Sequence, residues 1–273
     1  MTLIMITNQF FQTTPSPATV FLSSYSSRLS VNHQPYHTPW GKLLVSKGEV
    51  LSLRTPKRHI DSPPHFAIWV PAYASHFTPE TTVNGFFAIN VTLSHCTGLP
   101  KIICQFEVTP LIAAIIEDLS RRNVGVPSSE ADIRLMTVLL DKLKQAPQTQ
   151  SFLPSTQHPL ICPIIARLTH MPNHPRTLAK WAEKLKTTER SLARHFKTEL
   201  GISFTEWRAR KKYLTSLKML EKGISPAEII TFLGYTQSGP FISLFKKYSG
   251  MTPEQYRQTL RDNHQQTIAI CNT

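Results

Sequence analysis

Hydrophobic residues in the C-terminal third of the chain recur at intervals of three and four positions, the spacing that gives a helix one apolar face. Leu192 and Phe196 form such a pair, and Phe241, Leu244 and Phe245 form another group. The pattern predicts seven helices, at 160–171, 177–185, 188–200, 204–222, 226–233, 240–249 and 253–260. Their apolar residues are assigned to the core of a helical domain.

The ends of these helices are marked by residues with a clear chemical role. A Ser or Thr followed three positions later by Glu or Gln forms a capping box, in which side chains bond two free backbone N–H groups. Such boxes are predicted at Ser203, Ser225 and Thr252. Glycines, which easily adopt the left-handed conformation that ends a helix, follow four of the helices. They are Gly201, Gly223, Gly234 and Gly250.

Residues 40–110 show a different pattern of short β-branched or aromatic segments separated by Gly, Pro, Ser and Asn. It predicts strands at Lys42–Val45, Glu49–Leu53, Ala67–Val70, Phe86–Thr92 and Ile102–Phe106, followed by helices at 110–122 and 129–143. Many short strands at this spacing favour a sandwich or barrel such as a jelly roll.

Residues 144–159 separate the two patterns and are rich in Pro, Gln, Ser and Thr, which is typical of a linker or a long surface loop. We therefore predict an α+β protein of two domains. Residues 1–150 form a β-rich, jelly-roll-like domain with two following helices. Residues 160–262 form an all-α domain.

Composition excludes several classes of protein. The chain has 273 residues, of which 41% are hydrophobic, too many for a wholly disordered chain. No run approaches about 18 apolar residues, so no membrane span is expected, and Leu3–Ile6 lacks the basic leader of a signal peptide. The four cysteines form no C-x-x-C pair, which favours ordinary thiols in a reducing compartment, the cytoplasm.

Positive charge is concentrated in the helical region. Residues 174–261 contain 17 Lys and Arg against 7 Asp and Glu, so this segment holds +10 of the formal net charge of +13. Residues 1–173 contain 13 basic against 9 acidic residues. A basic domain of this kind favours a polyanionic partner, although a solvated charged face is the alternative.

The helical region contains two short helix pairs, 177–200 and 226–249, on either side of one long helix. Each pair has a tight connection, as in a helix-turn-helix unit, whose second helix lies in the DNA major groove. Polar residues on the outer face of the first such helix include Arg190, Ser191, Arg194 and Lys197. Arg190 and Arg194 point the same way, and arginine binds guanine with two hydrogen bonds. Two solvated surface arginines are the alternative.

The segment from Leu178 to Tyr256 resembles the DNA-binding domain of the AraC/XylS family of bacterial transcription regulators. The matching positions are Leu178-Ala179, Ala182, Ser191-Leu192-x-Arg194-x-Phe196, Gly201-Ile202-Ser203-Phe204, Trp207-Arg208, Ile229, Leu233-Gly234-Tyr235, Phe241-x-x-x-Phe245-Lys246-Lys247 and Gly250-Met251-Thr252-Pro253-x-x-Tyr256. The resemblance covers about a third of the chain. It implies sequence-specific binding to double-stranded DNA, with RNA polymerase as a further partner.

The chain departs from the family pattern in both units. Lys186 occupies a turn position where the family often has Gly, and a left-handed residue there costs roughly 1 kcal/mol. Gly239, followed by Pro240, is expected to cap the second recognition helix. That helix offers Gln237, Ser238 and Ser243 rather than a strong base-binding side chain. We therefore expect the first unit to recognise bases and Lys246 and Lys247 to contact phosphates.

Residues 39–76 resemble the cupin-type sensor domain of one AraC subgroup. The matching residues are Pro39-Trp40-Gly41-Lys42-Leu43 and Ala67-Ile68-Trp69-Val70-Pro71-Ala72-x-x-x-His76. The histidines that the family often places before the Trp-Gly step are out of register, because this chain has Tyr36-His37-Thr38. A metal cupin needs several imidazoles and a carboxylate around one ion, so no metal or other cofactor is predicted. Trp40, Trp69, Tyr73 and His76 are candidate effector-pocket residues, with sheet packing as the alternative.

We therefore predict a DNA-binding transcription regulator controlled by a small-molecule effector, and not an enzyme. Two chains are expected to pair through helix 111–121 or 130–143 to form a homodimer. The alternative function is a metal-dependent cupin enzyme with an attached DNA-binding domain. An RNA-binding protein is disfavoured, since the basic face lacks aromatic side chains that stack on bases.

Overall fold

The chain folds into two compact units, Met1–Ser151 and Phe152–Thr273, in the computed structural model. Residues 20–25, 34–81, 84–146, 148–149 and 151–271 are described, without the side chains of 148–149 and 263–271. The first unit is β-rich and the second is helical, which confirms the predicted α+β class. No helix within these described ranges is long and apolar enough to cross a lipid bilayer.

The first unit contains a six-stranded antiparallel sheet and a two-stranded hairpin. The strands are β1 (Phe21–Tyr25), β2 (Gly41–Ser46), β3 (Leu51–Arg54), β4 (His59–Ser62), β5 (Phe66–Val70), β6 (Phe86–Val91), β7 (Cys104–Glu107) and β8 (Gln148–Thr149). The order in the sheet is β1-β6-β2-β5-β7-β8, and β3 pairs with β4. The jelly-roll assignment stays a prediction.

Both faces of the six-stranded sheet are buried, so β2 has no exposed residue. Leu43 lies beside Trp69 and Ile89 in the strand register, and this row packs with helices α1 (Pro110–Arg121) and α2 (Glu130–Gln145). Leu44 lies on the opposite face and packs with β3 and β4. Because neighbouring residues on a strand point to opposite faces, the register decides which core each side chain enters.

Strands β1 and β4 were not predicted from the sequence, nor was the two-residue β8, which lies in the segment predicted as a linker. Ile60 is the only large apolar residue of β4, and β1 carries two serines, so neither has a clear hydrophobic pattern. Both strands are defined by pairing with distant partners: β1 with β6, and β4 with β3.

Helices α1 and α2 cover the sheet with the faces that were predicted to pair two chains. Thr109 and Ser129 cap these helices by accepting hydrogen bonds from backbone N–H groups. The buried apolar residues are Ile112, Ile115, Ile116 and Leu119 in α1, and Met136, Leu139, Leu140 and Leu143 in α2. Those faces are therefore used inside one chain, because the sheet would otherwise expose its apolar row. Leu111 and Ile133 stay 46% and 44% exposed.

All seven helices predicted for the second unit are present. They are α3 (Cys162–His170), α4 (Leu178–Lys184), α5 (Glu189–Leu200), α6 (Phe204–Glu221), α7 (Pro226–Phe232), α8 (Ser238–Ser249) and α9 (Pro253–Cys271). The last one continues beyond the predicted end at residue 260. The sequence after that point is mostly polar and gave no apolar periodicity.

The predicted helix ends are largely confirmed. Gly201, Gly223, Gly234 and Gly250 all have positive φ angles, between 71° and 81°. Ser225 and Thr252 form complete capping boxes. At Ser203 the hydroxyl accepts from the backbone of Glu206, but the Glu206 carboxylate bonds other side chains. The third predicted box is therefore only half formed.

The segment predicted as a linker contributes to the helical unit. Phe152 is buried, and its ring packs edge-on against Tyr213 at 6.0 Å and Tyr248 at 5.7 Å between ring centroids. Its carbonyl accepts a hydrogen bond from Arg210, and the Pro154 carbonyl accepts one from the Trp207 indole. Residues 152–154 are thus part of the helical core, which the polar composition of 144–159 did not indicate.

Lys186 adopts the left-handed conformation that the resemblance implied, with φ of 53°. The turn is closed by hydrogen bonds from Lys186 N–H to the Glu183 carbonyl and from Thr187 N–H to the Ala182 carbonyl. Because the Cβ of a non-glycine residue is strained there, we predict that Lys186→Gly stabilises this unit by about 0.5–1 kcal/mol.

Hydrogen exchange of the α5 and α6 amides measures this change. The matched control is Lys222→Gly, since Lys222 ends α6 with an ordinary φ of −83°. There glycine only adds chain entropy to the unfolded state and should destabilise. Equal effects of the two substitutions would contradict the strain at Lys186.

Candidate nucleic-acid interface

Helix α5 presents the predicted base-contacting residues to solvent. Arg190, Arg194 and Lys197 are exposed, whereas Leu192 and Phe196 on the opposite face are fully buried. Thr188 fixes the start of the helix, because its hydroxyl accepts from the Ser191 backbone N–H at 3.1 Å. The outer face is therefore basic and anchored by an apolar inner face.

The inner face of α5 shares one core with α4 and α6. This core contains Trp181 and Ala182 from α4, and Phe204 and Trp207 from α6. The rings of Phe196 and Phe204 pack edge-on with centroids 5.3 Å apart. Helix α5 is thus held rigidly on the long helix α6.

Helix α8 repeats the arrangement with less charge. Phe241 and Phe245 are fully buried, and the predicted contact residues lie on the exposed side. These residues are Gln237, Ser238, Ser243, Lys246 and Lys247.

The predicted cap of α8 is wrong. Gln237 is the capping residue, with an extended backbone, and Gly239 lies inside the first turn. Pro240 is tolerated at the third helical position because the first N–H groups of a helix have no partner within the helix. Ser238 consequently lies at the very start of the helix, where a recognition helix faces the bases.

Glu206 joins α6 to α8 through a cluster that the sequence did not predict. Its carboxylate accepts from Arg210 Nε at 2.9 Å, Lys247 Nζ at 2.7 Å and the Tyr248 hydroxyl at 3.0 Å. We call these four residues the Glu206 cluster. Lys247 is therefore ion-paired within the unit, which competes with its predicted phosphate contact. The sequence signal for part of this cluster is the spacing of Glu206 and Arg210, which lie four positions apart on one helix and can therefore form an ion pair.

The electrostatics of the cluster follow from these bonds. Partial burial raises the pKa of Glu206. Hydrogen bonds from Lys247, Arg210 and Tyr248 together lower it by a larger amount, so the net shift is downward. The hydrogen bond to Glu206 also raises the pKa of Lys247. Both groups are charged at neutral pH, and the pair stabilises the contact between α6 and α8.

The structure does not bring the four candidate effector-pocket residues together. Trp69 lies on the helix side of the sheet and donates to the Pro100 carbonyl at 2.8 Å. The indole of Trp40 donates to Asn90, which lies beside Lys42 on the other face. Tyr73 is 59% exposed, with a φ of 62°.

His76 is the one candidate with unexplained polar chemistry. It is fully buried, and its ring lies 4.5 Å from the Tyr36 ring. Nδ1 bonds the Ala74 carbonyl at 2.8 Å, whereas Nε2 has no hydrogen-bond partner within the described part of the chain. Burial lowers the pKa of His76 to about 4, so the ring is neutral. Among the described residues, no three His, Cys, Asp or Glu side chains lie close enough to hold a metal.

Comparisons with known proteins place the helical unit among DNA-binding regulators. A family profile described as a helix-turn-helix domain matches residues 181–259. The HTH-type transcriptional regulator NimR of Escherichia coli (strain K12) is 31% identical over 194 residues, which are 71% of this chain and 71% of NimR.

Two further similarities concern shorter regions. A protein of Streptomyces antibioticus that is named an AraC-like transcription regulator is 27% identical over 152 residues, 54% of this chain and 50% of that protein. The solved C-terminal domain of AraT, a response regulator from Geobacillus stearothermophilus, is 30% identical, with a TM-score of 0.36. It covers 38% of this chain and 88% of the solved chain.

We predict that Glu206→Gln destabilises the helical unit by about 1 kcal/mol at pH 7, since it removes the charge that Arg210 and Lys247 share. The pKa of Glu206 lies below its ordinary 4.5 in the folded state. This stabilisation is therefore complete above 4.5 and is lost as the pH falls through the lowered value. Urea unfolding of both proteins between pH 7 and pH 3 measures the difference.

The control for this measurement is Glu254→Gln. Glu254 also pairs with an arginine, Arg257, but is 61% exposed and lies within a single helix. It should change stability far less. A loss that is independent of pH would show that the Glu206 charge is not the cause.

Proposed function

The chain belongs to the AraC family of helix-turn-helix transcriptional regulators, and on that premise we propose that α5 makes most of its base-specific contacts. The protein is a DNA-binding transcriptional regulator. Its partner is double-stranded DNA, and Arg190 and Arg194 are the side chains proposed to bind guanines. Helix α8 contacts mainly phosphates, through Lys246.

The observation that carries this proposal is the contrast between the two exposed helix faces. Helix α5 presents two arginines and Lys197, whereas α8 and its cap present Gln237, serines, Lys246 and a second lysine already paired with Glu206. Arginine offers two parallel hydrogen bonds to one base, which serine cannot match. Both helices are fixed on α6, so they enter major-groove segments about one helical turn, roughly 34 Å, apart.

We further propose that the N-terminal unit binds a small-molecule effector, and that His76 contributes to its site. The buried Nε2 supports this proposal, because a buried polar atom without a partner is costly and a ligand can satisfy it. A bound effector would change promoter occupancy by favouring one conformation of the chain. The proposal has further parts. The protein acts in the cytoplasm and without catalysis. It forms a homodimer and contacts RNA polymerase.

The direct test of DNA recognition is selection of binding sites from random duplex DNA with the purified full chain. Two conserved boxes about one helical turn apart are expected among the selected sequences, with the sharper base preference in the box bound by α5. Recovery of no shared sequence would contradict specific binding.

We predict that Arg194→Ala weakens binding to the selected site by about 1–3 kcal/mol and relaxes the preference at one base pair, because a bidentate guanine contact is lost. Lys246→Ala should weaken binding to all sequences alike, because a phosphate contact carries no sequence information. Fluorescence-anisotropy titrations on selected and scrambled duplexes separate the two effects.

The matched control is Lys142→Ala, which removes one exposed charge from α2 in the other unit. It should leave both affinities unchanged. If Arg194→Ala binds the selected site as tightly as the wild type, α5 is not the main recognition helix.

The effector proposal predicts a small molecule that co-purifies with the wild-type chain and is lost in His76→Ala. Native mass spectrometry detects it, and metal analysis of the same samples provides the contrast. Stoichiometric iron, zinc or manganese lost in His76→Ala would instead support a metal-dependent enzyme. Hydrogen exchange of β2 and β6 establishes whether the variant is folded. If both proteins are folded and carry the same co-purifying molecule in their mass spectra, His76 has no role in the site.

A further inference from the structure

A group of basic side chains extends from the first helix-turn-helix unit along α6 to the second, and it contains none of the residues assigned to base recognition. It contains Arg167 of α3, Arg176 of the loop before α4, Lys184 of α4, and Arg208 and Lys212 of α6. We call these five residues the cationic strip. Their mutual proximity follows from their contacts and from their effects on one histidine, His174, which is partly exposed.

Arg208 organises the strip. Its guanidinium donates to the backbone carbonyls of His174 at 2.9 Å and Arg176 at 3.3 Å, and so fixes the loop before α4 on the long helix. The side chain of Arg176 then lies over the Trp181 ring, with the guanidinium carbon 4.5 Å from the ring centroid. Lys184 Nζ lies 5.8 Å from the same centroid. An aromatic ring thus holds both cations while leaving their charge intact.

The strip reaches the second helix-turn-helix unit. Lys212 Nζ lies 4.1 Å from the centroid of the Tyr235 ring, in the turn between α7 and α8. The same turn touches the loop before α4, because a Cβ placed on Gly234 would lie 3.5 Å from the Cβ of Asn173. The strip therefore extends from α4 across α6 to the turn that precedes α8.

Within the described residues, no carboxylate forms an ion pair with a member of the strip. His174 lies in its middle, and its pKa is lowered first by desolvation and then by the charges of Arg176, Arg167, Arg208 and Lys184. These four charges are all positive. Burial and the neighbouring Arg208 likewise lower the pKa of Lys212, to about 8. The Glu206 cluster on the same helix shows a different arrangement, in which one carboxylate forms ion pairs with both Arg210 and Lys247.

We propose that the cationic strip binds the phosphate backbone of DNA between the two major-groove segments contacted by α5 and α8. This inference rests on the proposed DNA recognition. The first helix of a helix-turn-helix unit crosses the DNA backbone, and Arg176 and Lys184 belong to that part of the first unit. A phosphate relieves the repulsion among the cations, and the planar guanidinium of Arg176 matches two phosphate oxygens.

Salt titration of the full chain on a selected duplex and on a scrambled duplex tests the strip. Each of Arg176→Gln and Lys184→Gln removes one phosphate contact, so the slope of log K against log salt should become shallower by about 0.9 on both duplexes. Affinity near 0.1 M salt should fall about five- to tenfold for each change, and base preference should stay as in the wild type. Arg208 is left intact, since it holds the backbone of the loop.

Two variants of the N-terminal unit provide matched controls for charge. Arg121→Gln and Lys142→Gln remove the same charges from exposed positions of α1 and α2, and should leave the slope unchanged. Slopes of the strip variants equal to those of the controls would overturn the inference. Failure of the wild-type chain to bind any duplex would instead contradict the proposed function itself. Circular dichroism establishes that each variant is folded before titration.

Discussion

Helix α6 has to pack against both helix-turn-helix units at once, and this constraint determines the geometry of the helical unit. Phe204 and Trp207 near its start complete the core with α4 and α5, whereas Tyr213 packs edge-on against Phe245 of α8, with centroids 5.3 Å apart. Eighteen residues at 1.5 Å each make a rod of about 27 Å, so the two recognition helices are held at a defined separation. The Glu206 cluster and Phe152 strengthen the contact between α6 and α8. Helix α8 carries fewer arginines for direct recognition than α5 does.

The N-terminal unit is shaped by a sheet that buries both faces. One face needs α1 and α2 and the other needs the β3–β4 hairpin, which leaves the apolar faces of the two helices occupied inside one chain. The same two-sided burial separates Trp69 from Trp40. Candidate residues from the two sequence motifs thus contribute to different layers. His76 is one of several buried side chains with a polar atom, here Nε2, that has no hydrogen-bond partner within the described residues.

The sequence predicted the helical unit well, because each helix carries its own apolar period and local start and stop residues, such as Ser225 and Gly250. It predicted less where distant pairing decides the outcome. Strand β4 has little hydrophobic pattern of its own, and the Glu206–Lys247 contact joins residues 41 positions apart. The cap of α8 was predicted at Gly239 but lies at Gln237. Pro240 did not fix the start of the helix, since proline is tolerated throughout the first helical turn. The exposure of the candidate contact residues was predicted correctly, because solvent-facing polar positions on an amphipathic helix follow directly from its period.

The unbalanced charge of the cationic strip has a consequence for the folded protein without DNA. Like charges held close together repel one another, and dissolved ions screen that repulsion over about 8 Å at physiological ionic strength. Added salt therefore favours the compact state of the helical unit. It weakens the attraction to phosphates, because each counterion released from the DNA gains less entropy when the surrounding solution is already concentrated. Ionic strength acts in opposite directions on the folding of this unit and on its attachment to the chromosome.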